Sequence, residues 1–116
     1  MARPQKDGDS VELKFPVWNP NIHTASKFGC SDFRIRYKAL RNSSSGFIRR
    51  ADVRQIIFEK YHGKCYICGS TDNLQIDHII SVYKFAVQRL PYKDLNKEEN
   101  LALICRRCNC QKRPER

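Results

Sequence analysis

The chain has 116 residues, with 22 Lys and Arg against 12 Asp and Glu, a net charge of +10, and six cysteines. That length fits one domain with a modest core, a size at which a disulfide or metal staple is common. A balance this basic favours a polyanionic partner, nucleic acid foremost, ahead of plain solubility or an anionic membrane surface.

No apolar run is long enough to span a bilayer, and MARPQKDGDS lacks the apolar centre of a signal peptide. A cytoplasmic setting with reduced thiols is therefore expected. Residues 1–10 are polar. In VELKFPVW, Val11, Leu13, Phe15 and Val17 alternate as in a strand, and Pro16 confines it to an edge or an irregular extended segment. NPNIH, residues 19–23, reads as a turn or loop. SDFRIRYKALRN, residues 31–42, fits two patterns. Phe33, Ile35 and Tyr37 alternate with basic residues, whereas Phe33, Tyr37 and Leu40 share a helix face behind Ser31 as a possible N-cap; the helix is preferred. NSSSG, residues 42–46, reads as a break.

RADVRQIIFEKY, residues 50–61, has Val53, Ile56, Ile57 and Tyr61 on one helical face, and Gly63 suits a left-handed cap after it. CYICGSTDN reads as a metal-binding turn, and NLQIDH, with Leu74 and Ile76 alternating, as a strand. A polar connection over 81–99 holds a short helix around 82–90. NLALIC is a second strand, and CRRCNCQKR a short helix stopped by Pro114. The implied organisation is a basic N-terminal extension over residues 1–46 and a second unit over 47–116.

Cys65 and Cys68 form one Cys-x2-Cys pair, and Cys105 and Cys108 another. Each such turn points two thiolates at one metal, and together they complete a tetrahedral zinc site with no open position for catalysis. Two redox-active dithiols are the alternative, without a thioredoxin-like context to support them. Cys30 and Cys110 are left over, and His23 and His62 have no partner at ligand spacing, so both histidines are read as non-catalytic.

The order Cys65-x2-Cys68, Asp77-His78, Asn100-Leu101, Cys105-x2-Cys108-Asn109-x2-Lys112 resembles the HNH endonucleases, most closely the zinc-stapled subset common in bacteriophages and bacteria. The segments GFIRRADVRQIIFEKYHGKCYICG, DHII and ENLALICRRCNCQK carry the resemblance, which runs from about Phe47 to Lys112. It implies an α+β chain with a ββα-metal fold, one structural zinc ion and one catalytic magnesium or manganese ion. The implied partner is DNA, duplex by preference. The implied state is a monomer or homodimer, or a component of a phage DNA-processing complex. It makes His78 the general base, and Asp77 and Asn109 the ligands of the catalytic ion. Asn100 holds the loop between the strands and helps orient His78, with Asn96 a nearby competitor for that part. Lys112 contacts phosphate.

The residues suit that chemistry. A neutral imidazole near pH 7 can take a proton from water, and oxygen ligands suit magnesium. His78 must stay off the metal to act as a base. Neighbours on a regular strand face opposite ways, so pairing is expected to end, twist or bulge at about Ile76 to His78. Arg34, Arg36, Lys38, Arg41, Arg49, Arg50 and Arg54 crowd one region, and Arg106, Arg107, Lys112, Arg113 and Arg116 another. They read as phosphate contacts or as solvated faces. The leading function is a metal-dependent endonuclease that hydrolyses DNA phosphodiester bonds. The alternatives are a zinc-knuckle binding module without catalysis and an accessory subunit.

Overall fold

The computed structural model describes residues 14–112. The expectations for residues 1–13, for Pro114 as a helix stop, and for Arg113 and Arg116 lie outside the described residues. The chain order is α1 (Ile22–Ala25), α2 (Phe33–Ile48), α3 (Ala51–Lys60), β1 (Leu74–His78), α4 (Val82–Gln88), β2 (Leu101–Cys105) and α5 (Arg106–Gln111), with short 3-10 turns between. This is an α+β architecture built around a two-stranded antiparallel sheet. Among the described residues, no helix is long and apolar enough to cross a membrane.

The alternation at Phe15 and Val17 does not make a strand: residues 14–20 form neither helix nor strand. They have no pairing partner among the described residues, and Pro16 and Pro20 supply no backbone donor. Aromatic anchors hold the segment instead. Phe15 meets Phe47 edge-on at 5.9 Å, and Trp18 stacks on Phe28 at 5.8 Å. Val17, expected on the apolar face, is 76% exposed. Residues 19–23 turn as expected, but Asn21 caps a helical turn that starts at Ile22.

Helix α2 is longer than the sequence suggested. Its cap is Asp32, not Ser31, and its carboxylate accepts a 2.9 Å bond from the Arg34 N–H. The helix buries Arg36, Leu40, Ser44 and Phe47 along one stripe and runs straight through NSSSG. The expected break is absent because Leu40 and Phe47 are buried on either side of it, and burial outweighs the weak helix propensity of serine and glycine. The expected boundary at 46/47 falls inside this helix.

Arg36 also departs from its expected place on a phosphate-binding surface. It is 5% exposed, and its guanidinium donates to the carbonyls of Ala86 (2.8 Å), Cys30 (2.7 Å) and Ser31 (3.4 Å). Ala86 lies near the C-terminal end of α4, where a positive charge is favoured. Arg36→Met keeps the apolar stem and removes these donors, and the expected loss is about 2 kcal/mol, or roughly 10 °C in thermal melting. A melting temperature equal to that of the unaltered protein would refute this clamp.

Helix α3 turns Val53 and Ile57 fully inward, with Ile56 half-buried beside them. It stops in a Schellman arrangement: the Gly63 N–H donates to Phe58 O at 2.8 Å and the His62 N–H to Glu59 O at 3.1 Å. Gly63 takes φ +66°, as expected, and His62 shares the left-handed turn at φ +57°. A Cβ on Gly63 would sit 2.8 Å from the Phe58 ring.

Strand β2 divides two apolar clusters. Leu101 and Leu103 join the helical core with Leu40, Val53, Ile57 and Phe85. Ile104 and Cys105 join Cys65 and Cys108 in a second cluster. Helix α5 packs against both strands, which sets its side chains over the face of the sheet that carries Gln75 and Asp77.

Candidate active site and metal centre

The two Cys-x2-Cys pairs converge. The sulfurs of Cys65, Cys68, Cys105 and Cys108 all lie within 4.8 Å of one another, so they could hold one metal ion such as zinc. Local structure presents each pair. The Cys65 sulfur accepts the Ile67 N–H and the Cys105 sulfur accepts the Cys108 N–H, each at 3.4 Å. Cys105 is thereby the N-cap of α5 as well as a ligand candidate. The thiols do not behave alike. For Cys65, burial opposes ionisation, but backbone hydrogen bonds at Cys68, Cys105 and Ile67 outweigh it and bring the pKa down to about 6. Burial and the neighbouring thiols push Cys108 up to about 12. Four thiolates so close need a cation among them. Cys30 is half-buried and Cys110 exposed, and neither belongs to the cluster.

Asp77 and His78 sit at the end of β1. The ladder is regular, from Leu74 opposite Cys105 to His78 opposite Leu101, and it contains no bulge. Pairing therefore ends at His78, the last position of the expected range. The alternation holds, and the two side chains face opposite ways. Asp77 faces α5, where its carboxylate is ion-paired with Lys112. The Lys112 ammonium also lies 3.4 Å from the His78 carbonyl oxygen. Asn109, on the same helix, donates through Nδ2 to Gln75 Oε1 at 2.7 Å. Gln75 and Asp77 are two residues apart, so Asn109 and Asp77 meet on one face of the sheet.

His78 points inward and is 8% exposed. Its Nε2 lies 2.7 Å from Asn96 Oδ1 and 3.0 Å from Ser44 Oγ. Burial holds the imidazole below its ordinary pKa, so it is neutral near pH 7. Of the two asparagines, the one that touches His78 is thus Asn96, and Asn100 does other work. The Asn100 Oδ1 accepts the Ile80 N–H at 2.7 Å, and its Nδ2 donates to Leu95 O (2.9 Å) and Ile80 O (3.1 Å). These bonds lock the chain just after His78. Ser44 went unrecognised in the sequence because NSSSG looked like a break. Extending the stripe Arg36, Leu40 by one turn lands on Ser44, and that periodicity was the available signal.

The basic residues divide. Arg54, Arg106 and Arg107 are exposed. Arg49 donates to Ser45 Oγ at 2.8 Å, and Arg50 pairs with Asp52 at 2.8 Å, so both are exposed but partly engaged. His62 serves the α3 cap, and His23 lies in α1, apart from the cysteine cluster.

A family model described as HNH endonuclease matches residues 65–115. That stretch holds the four cysteines, Asp77, His78, Asn100, Asn109 and Lys112, and leaves out Ser44 and helices α1 to α3. No curated protein and no solved structure matches the chain.

Proposed function

From an HNH domain over residues 65–115, we propose that the protein is a metal-dependent endonuclease that hydrolyses DNA phosphodiester bonds. One observation carries this reading: a buried, neutral histidine follows directly on a carboxylate that shares one face of the sheet with the Asn109 amide. A module that only binds DNA needs neither group.

The donor set fits a hard divalent ion. Asp77 offers a carboxylate, and Asn109, its Nδ2 occupied by Gln75, has its amide oxygen to offer. A magnesium or manganese ion held there would stabilise charge on the phosphate and the leaving oxygen. Lys112 would then leave Asp77 and be free for a phosphate oxygen. His78 would take the proton of the attacking water. Because Asp77 and His78 face opposite ways, the scissile phosphate must lie across the end of β1 to meet both. Asn100 keeps that end in place through Ile80. Exposed Arg54, Arg106 and Arg107, with Arg49, Arg50 and Lys112, would contact flanking phosphates and make binding salt-dependent.

A zinc-knuckle binding module without catalysis is the second reading, favoured by the closed Lys112–Asp77 pair. Supercoiled plasmid incubated with magnesium or manganese separates the two. Nicked or linear product is expected with either ion and none with chelator present. Salt-dependent binding without product under every divalent ion would leave the binding module standing.

A further inference from the structure

We propose that Ser44 of α2 and Asn96 are positioning residues that hold His78 with its proton on Nε2, leaving Nδ1 as the atom that accepts the water's proton. This rests on the reading of His78 as the base.

Counting protons gives the tautomer. Three atoms meet here: Ser44 Oγ, His78 Nε2 and Asn96 Oδ1. Ser44 Oγ lies 2.9 Å from Asn96 Oδ1, and His78 Nε2 lies 2.7 Å from that same oxygen. An amide oxygen only accepts. Each contact to it therefore needs a proton from the other side, one from the hydroxyl and one from Nε2. With its single proton committed to Asn96, the hydroxyl can only accept across its 3.0 Å contact with Nε2. All three contacts are satisfied only when Nε2 is protonated. A neutral imidazole then keeps its lone pair on Nδ1.

Burial makes this arrangement rigid. Ser44 is 1% exposed and Asn96 is 2% exposed. Asn96 also carries a cost, since its Nδ2 is buried without a partner among the described residues. An apolar side chain would avoid that cost. The chain instead keeps an amide there, with its oxygen turned onto His78. A fold that tolerates an unpaired donor is using the other end of the group. Ser44 adds a second consequence. It belongs to a helix outside residues 65–115, so the base is completed from the N-terminal half of the chain.

The test uses the full chain, with Asn96→Leu and Ser44→Ala. Asn96→Leu removes the acceptor that Ser44 and His78 share, so a merely structural role predicts a lower melting temperature but normal turnover by the folded protein. The expected result is a kcat lowered about 10- to 100-fold, with KM for plasmid unchanged. Long-range proton–nitrogen correlation on the metal-loaded protein, above the imidazole pKa, reads the tautomer without any cleavage. The unaltered protein should show the Nε2–H form, and both variants a mixture. An Nδ1–H form in the unaltered protein, or unchanged kcat in both variants, would overturn the proposal. Cleavage by His78→Ala at the full rate would remove the base itself, and that failure is visible separately from the tautomer.

Discussion

Replacing His78 with glutamine is expected to lower divalent-dependent cleavage by about 10²–10⁴-fold, the usual contribution of a positioned base. Glutamine is the better variant because alanine would also unfold part of the answer. His78 is 8% exposed and contacts two buried polar groups, so truncation leaves Ser44 and Asn96 facing a cavity. The glutamine amide can still donate to Asn96 Oδ1, yet it has no lone pair basic enough to take a proton from water. The melting temperature should therefore stay close to that of the unaltered protein while activity falls. DNA affinity should also hold, since the phosphate contacts proposed above lie on other side chains. Full-rate cleavage by a correctly folded His78→Gln protein would dismiss the base assignment. The buried, neutral state of His78 makes the prediction specific. A histidine held below its ordinary pKa is ready to accept a proton near pH 7 without first losing one.

Removing the metal from the four-cysteine cluster is expected to unfold the sheet end of the molecule. Structural zinc contributes an apparent binding free energy of about 10–16 kcal/mol in small zinc domains, against a total stability of about 5–15 kcal/mol for an ordinary domain. The cluster here is not peripheral. Cys65, Cys105 and Cys108 are buried, and they enclose Ile104, which is fully buried. Cys105 ends β2 and caps α5, so losing its ligand geometry frees the helix that carries Asn109 and Lys112. Elemental analysis should find one zinc per chain. A strong chelator should abolish the cooperative melt and the far-ultraviolet signal of the sheet end, and zinc should restore both. Cys105→Ser should behave like the chelated protein. Chelated protein that melts cooperatively at its original temperature would show that the thiols are only core residues.

The two outcomes differ in kind. Loss of the cluster removes structure and activity together, whereas His78→Gln removes activity alone. Seeing both would separate the staple from the chemistry.

Much of this site was readable in the bare sequence, because its signals each span only a few residues. Two Cys-x2-Cys turns point paired sulfurs at one place whatever surrounds them. Val53 and Ile57 mark a helix face through a local period, and Gly63 a left-handed cap through its missing Cβ. Leu74 to His78 and Leu101 to Cys105 read as strands from short apolar runs, and both are strands. Other features depended on packing at a distance. Alternating Phe15 and Val17 had no strand to pair with among the described residues, Arg36 went inside because carbonyls waited there, and NSSSG stayed helical because Leu40 and Phe47 were buried around it. The partners of His78 are the clearest case. Ser44 is 34 residues away in the chain and Asn96 is 18 away. No propensity or spacing rule spans such gaps. Which polar groups meet is set by where α2 docks against the sheet, and a hydrogen bond can be assigned only after that docking has placed its donor and acceptor.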